Sequence, residues 1–177
     1  YDIVNTYAEE AIAKIIFSYG EEKHARKIAK AICLYRQKEQ ISTTTQLAEI
    51  IKQAYPKKER FQGKHPARKT FQALRIAVNN ELDGLADAIK NMTELLNIGG
   101  VLAIITFHSL EDRIVKQTFA ELQKGCSCPK DFPVCVCGAK QDLKTLTKKP
   151  IIPSQTELEN NQRSRSAKLR AIKRVSN

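Results

Sequence analysis

One stretch constrains the fold more than any other: Gly99-Gly100-Val-Leu-Ala-Ile-Ile-Thr-Phe107-His-Ser-Leu-Glu-Asp-Arg113. Val101 to Phe107 is apolar except for one Thr and is rich in β-branched residues. It is too short for a buried helix and follows two glycines, so it reads as a strand buried on both faces, the habit of parallel sheets. His108-Ser109 ends the run. Ser109, with Asp112 three residues on, is an N-cap pattern, and Leu110, Ile114, Val115 and Phe119 supply a helical stripe. A strand, a polar turn and a helix N-terminus form the carboxyl edge of an open α/β sheet, where ligands bind. His108, Ser109, Asp112 and Arg113 therefore stand where chemistry is done in such folds. The same residues also suit a purely structural role, two of them capping a helix and His108 satisfied in the turn.

Upstream, apolar residues recur at helical spacing. Ala8, Ala11, Ile12, Ile15 and Ile16 carry one helix, stopped by Gly20. Ala25, Ile28, Ala29 and Ile32 carry a second, whose polar face holds Lys23, Arg26, Lys27, Lys30 and Arg36; Cys33 lies on its stripe and reads as core. A cap cluster, Ser42 to Thr45, opens a third helix buried through Leu47, Ile50 and Ile51 and closed by Pro56. Residues 57–69 then hold six basic residues against one acid, Glu59, broken by Gly63 and Pro66. From Pro66 a stripe through Phe71, Leu74, Ile76, Val78, Leu82, Leu85, Ile89, Leu95 and Leu96 predicts about thirty helical residues, with Gly84 its weak point. Helix, Gly-Gly, strand, turn and helix form an α/β unit. Farther on, Leu143 to Leu146 is a short strand, Ser154 with Glu157 a capping box, and Ala167 onward a last strand.

Charge narrows the partners. The 177 residues carry a net +11, and the tail from Asn161 to Val175 has six basic residues and no acid. Such clustering predicts a polyanionic partner, nucleic acid foremost. No run approaches the roughly 18 apolar residues of a membrane span, and the first residues lack a signal peptide's basic start and apolar centre. The expected location is cytoplasmic. Four of the five cysteines, Cys126, Cys128, Cys135 and Cys137, form a Cys-x-Cys pair repeated after six residues. Four thiolates suit structural zinc, although the spacing is tighter than the usual knuckle. Reduced thiols fit the same pattern, and disulfides fit a cytoplasmic redox poise less well.

Several stretches then fit together: Tyr19-Gly-Glu-Glu22 with Ala29; His65-Pro-Ala-Arg68 followed by Thr70 to Leu82; Phe107-His-Ser-Leu-Glu-Asp-Arg113; Lys149-Pro-Ile-Ile-Pro-Ser154; and Asn161 with Arg163-Ser-Arg-Ser-Ala-Lys-Leu-Arg170. Together they closely resemble the C-terminal half of the RsmH (MraW) family, S-adenosylmethionine-dependent enzymes that methylate N4 of a cytidine in 16S rRNA of the small ribosomal subunit. The resemblance implies an α/β fold: the C-terminal part of a class I (Rossmann-like) methyltransferase sheet preceded by a helical insert domain. It assigns residues 1–65 to the insert, on the RNA side, and 66–177 to the catalytic domain, with the final strand antiparallel beside the strand at Val101. The family's glycine-rich cofactor loop and the acid after its second strand have no counterpart here, since Gly99-Gly100 precedes a strand rather than following one. The chain thus reads as a fragment whose cofactor residues lie elsewhere. By the same resemblance His108 and Ser109 contact the base or ribose, Asp112 and Arg113 orient them, Arg75 and Asn79 brace that turn or meet the substrate, and Arg163, Arg165, Lys168 and Arg170 meet phosphates. An open strand edge at Val101 to Phe107 predicts self-association. The competing function is a stand-alone basic RNA-binding module without catalysis.

Overall fold

The computed structural model describes residues 1–60, 65–124 and 142–176. The chain divides into two compact units, Tyr1–Glu81 and Leu82–Asn177.

The first unit is helical: α1 (Asp2–Thr6), α2 (Glu9–Gly20), α3 (Ala25–Arg36), α4 (Thr44–Ala54) and α5 (Arg68–Asn79). The expected stripes are its core. Ile12 and Ile16 of α2, Ile28, Ala29 and Ile32 of α3, and Leu47, Ile50 and Ile51 of α4 are buried together, joined by Ile3 and Val4 of α1. Cys33 is half-buried against them, and burial pushes its thiol pKa up. Thr43 opens α4 with a reciprocal box: its hydroxyl accepts from Gln46 N at 3.1 Å, and Gln46 Oε1 accepts from Thr43 N at 2.9 Å. Gly20 does not stop α2 but ends it from within, and Glu21 takes the left-handed turn at φ 48°. Its lack of a side chain serves packing: a Cβ there would sit 2.8 Å from the Lys69 carbonyl oxygen, so α2 and α5 touch backbone to backbone. That contact places α5 in the helical unit, whose limit at Glu81 falls later than the 65/66 boundary expected.

The predicted thirty-residue helix is instead two, α5 and α6 (Leu85–Glu94). Asn80 and Gly84 adopt left-handed φ values of 50° and 75°, conformations that Asn and Gly reach at low cost. The apolar stripe continues through the break because both helices need a buried face. Pro66 lies just ahead of α5 rather than in its first turn.

The second unit continues with β1 (Val101–Thr106), α7 (Ser109–Gln123), β2 (Leu143–Thr145), α8 (Gln155–Asn160) and β3 (Lys168–Arg174). Its sheet has the order β1-β3-β2. β3 pairs antiparallel with both neighbours, Val101 to Thr106 lying opposite Lys173 to Lys168 and Leu143 opposite Arg174. The last strand is thus where it was expected, but the described sheet is antiparallel, not parallel. One face packs on helices: Leu102, Ile104, Leu143 and Ile172 meet Ile89 of α6 and Val115 and Phe119 of α7. The other face is open at Val101 (49% exposed) and Ile105 (57%). An unbroken apolar run does not distinguish one covered face from two, which corrects the expectation of a strand buried on both sides.

Candidate functional site

The turn after β1 is built differently from the sequence expectation. His108, not Ser109, is the N-cap of α7, and Glu111, not Asp112, is its partner. Imidazole Nδ1 accepts from Glu111 N at 3.3 Å, while Glu111 Oε2 accepts from Phe107 N at 2.8 Å and His108 N at 3.2 Å. Because Nδ1 is an acceptor, the neutral ring carries its proton on Nε2. Nε2 lies 3.3 Å from Glu111 Oε1, outside hydrogen-bonding alignment, and is buried without a hydrogen-bond partner among the described residues. Ser109 and Arg113 lie exposed on the first turns of α7.

The Asp112 carboxylate faces β3. The residue is 8% exposed and is held from β3. Arg170 forks onto it, Nε to Oδ1 at 2.6 Å and an η nitrogen to Oδ2 at 3.2 Å, and Lys168 Nζ donates to Oδ2 at 3.1 Å. The Arg170 hydrogen bonds hold the Asp112 carboxyl below the usual carboxylate range, against the opposing effect of burial and with help from Lys168. The structure therefore brings His108, Asp112, Lys168 and Arg170 to the junction of α7 and β3. It occupies the latter two cations with a carboxylate instead of leaving them for phosphate. Arg163 and Arg165, on a 3-10 turn before β3, are exposed and make no ion pair with any described residue.

Arg75 and Asn79 belong to the helical unit, where both reach Glu81. The guanidinium forks onto its carboxylate at 2.8 and 2.9 Å, and Asn79 Nδ2 donates to it at 3.0 Å. In the connector, Glu59 is taken by Lys23 (2.7 Å) and His24 (3.2 Å), both outside it. Arg60 and Lys69 donate to backbone carbonyls of Gln53, Tyr55 and Glu21. Lys57, Lys58 and Arg68 have no ion pair with a described residue. Cys126, Cys128, Cys135 and Cys137, the expected zinc ligands, lie outside the described residues; among those described, no group of His, Cys, Asp or Glu is placed to hold a metal ion. No described helix is long and apolar enough to cross a membrane. Sequence reasoning missed Glu111 and Glu81. Glu111 had a signal, standing three residues after His108, but histidine is not a favoured N-cap and Ser109 competed for the role.

Fold and site thus define a mixed α/β protein in which a small antiparallel sheet, crossed by a cationic strand, sets the start of one helix. The MraW methylase family model matches residues 1–175, and the chain belongs to that family. Similar curated proteins are the ribosomal RNA small subunit methyltransferase H of Fusobacterium nucleatum, 57% identical over 99% of this chain and 55% of its own length, and that of Brevibacillus brevis, 53% identical over 99% and 56%. Ribosomal RNA small subunit methyltransferase H 2 of Agathobacter rectalis is 55% identical over 98% and 55%. The chain spans about half the length of these relatives.

Proposed function

We propose that this chain is the RNA-holding and pocket-shaping part of an rRNA methyltransferase that transfers a methyl group from S-adenosylmethionine to N4 of a cytidine in 16S rRNA, acting in the cytoplasm on the small ribosomal subunit. The family match over 1–175 carries the reading; the names of the relatives supply the substrate. The helical unit corresponds to the insert, and the second unit to the end of a class I methyltransferase sheet.

The described residues do not fit the cofactor. A nucleotide-like cofactor at a strand's carboxyl end needs open backbone N–H groups on a glycine-rich turn. After β1 those N–H groups belong to Phe107 and His108, and the Glu111 carboxylate already accepts from both. On this reading the cofactor residues belong to the part of the relatives' length that this chain does not span. What this chain's residues supply is position. Arg170 and Lys168 lock Asp112, Asp112 locks the register of α7 on β3, and the register sets His108 at the pocket turn. The cytidine amine is a weak nucleophile, its lone pair being delocalised into the ring, so holding it in line is a large part of the catalysis required. Arg163 and Arg165 hold phosphates.

The test supplies, in trans, the segment of the Fusobacterium relative that this chain does not match, and follows labelled methyl transfer into small-subunit RNA. Label at a cytidine N4, reduced by His108→Ala more in turnover than in RNA affinity, supports the proposal. RNA binding with no transfer favours the stand-alone binding module.

A further inference from the structure

We infer that a cavity between α7 and β2, separate from the turn at His108, seats an RNA backbone phosphate with its ribose. The inference rests on the reading of RNA as the substrate and adds a contact that neither motif nor resemblance pointed to. The cavity holds about 320 Å³, and its wall carries Lys116, Lys124 and Lys148, with Thr145, Thr147, Phe119 and Arg170, the last already paired with Asp112. Lys116 lies on α7, and Lys124 is the residue that ends it, out of helical conformation at φ −69° and ψ 52°; both line the cavity. Lys148 reaches the same space from the chain after β2.

Three features make this more than a solvated lysine cluster. None of the three ammonium groups forms an ion pair with a described residue, and no acid among the described residues lines the cavity. Asp112, one turn before Lys116, cannot neutralise them, because both its oxygens are spent on Arg170 and Lys168. The floor is fixed: Gln123 Oε1 accepts from Thr145 N at 2.8 Å, and Thr147 Oγ1 accepts from Ala171 N at 3.0 Å. Three like charges on residues that line one fixed hollow repel one another in the free chain. A phosphodiester relieves that repulsion and releases counterions on binding. The volume lies at the small end of ligand sites, room for a single phosphate–ribose step and not for a stacked helix. A phosphodiester is the polyanion that the proposed substrate brings.

The experiment is fluorescence polarisation with a labelled single-stranded oligoribonucleotide of mixed sequence, read as log affinity against log salt. Each phosphate contact to a single strand contributes about 0.7 to that slope. Lys116→Gln with Lys124→Gln and Lys148→Gln should lower the slope by about 0.7, the share of the one seated phosphate, and weaken binding at low salt, with an unchanged melting temperature. The control removes equal charge elsewhere in the same unit, through Lys144→Gln, Lys149→Gln and Lys173→Gln. None of these lines the cavity, and Lys144 and Lys173 face each other across β2 and β3. A slope lowered in the cavity variant and largely kept in the control supports the inference. An equal fall in both overturns it in favour of bulk charge, and an unchanged slope in the cavity variant overturns it while leaving the RNA reading intact. Polyglutamate bound as tightly as RNA, through the same three lysines, overturns it in favour of an acidic protein partner. If the unaltered chain shows no salt-dependent RNA binding, the reading beneath the inference fails and takes it along.

Discussion

Asp112→Ala tests whether the α7–β3 junction is held as described. The side chains of Asp112 and Arg170 are only 11% and 8% exposed, so the pair belongs to the buried class. Removing one partner of such a pair leaves an uncompensated charge and costs about 3 to 5 kcal/mol. Lys168, at 37% side-chain exposure, turns to water instead, and its share is about 0 to 1 kcal/mol. Arg170 therefore accounts for nearly the whole loss. In urea, with a slope of about 1 to 3 kcal/mol per molar, the unfolding midpoint of the second unit should fall by at least about 1 M. Asp112→Leu combined with Arg170→Met leaves neither charge buried and should recover most of that loss. Acidification gives an independent reading. The Asp112 carboxyl is held below its ordinary range in the folded chain, so its contribution is complete above the unfolded value of about 3.9 and is lost as pH falls through the lower folded value. The unaltered chain should lose stability over that acid range, and Asp112→Ala should lose less there. A cost below about 1 kcal/mol, the level of an exposed pair, would refute the argument.

Gly20→Ala forces a Cβ against the Lys69 carbonyl and should destabilise the helical unit by about 1 to 3 kcal/mol, seen as a lowered thermal midpoint; an unchanged midpoint means that α2 and α5 can separate freely. Isolated chains should self-associate through the open side of β1, where Val101 and Ile105 are exposed, and sedimentation showing a clean monomer with slowly exchanging β1 amides contradicts that expectation. Binding of S-adenosylmethionine to the chain alone should be weak at best, and a calorimetric titration giving micromolar affinity would return the cofactor site to these residues.

Local patterns were legible and pairings across the chain were not. The helices over Ile12–Ile16, Ile28–Ile32 and Leu47–Ile51 follow from apolar periodicity, which a core enforces residue by residue, and the strand at Val101 from a short unbroken apolar run after two glycines. Ser154 was readable as a cap because its partner stands three residues on: Glu157 N donates to its hydroxyl at 3.2 Å. Arg170 looked like a phosphate ligand because nothing near it in sequence is acidic; its carboxylate lies fifty-eight residues earlier. The break between α5 and α6 was half-visible. Gly84 marked it, but Asn80 and the Glu81 clasp carry it equally, and an Arg–Glu spacing of six residues is not one that helix rules flag. The open face of β1 was invisible, because sequence reports that a side chain is apolar and not what covers it.

The strand order carries a consequence for how this unit comes together in time. β3, encoded after both of its neighbours, lies between them, and among the described residues neither β1 nor β2 has another strand to pair with. Emerging vectorially, β1 must wait through some seventy residues for Lys173 to reach Val101. Loop closure over that span precedes any reward from the ladder, which makes sheet formation a late, non-local step. Until then, among the described residues, α6 and α7 cover β1 and β2 without the strand that joins them. A nascent chain halted before Lys168 would lack Ile172, the β3 member of the cluster around Ile89, Val115 and Phe119, so that core closes only when the last strand arrives.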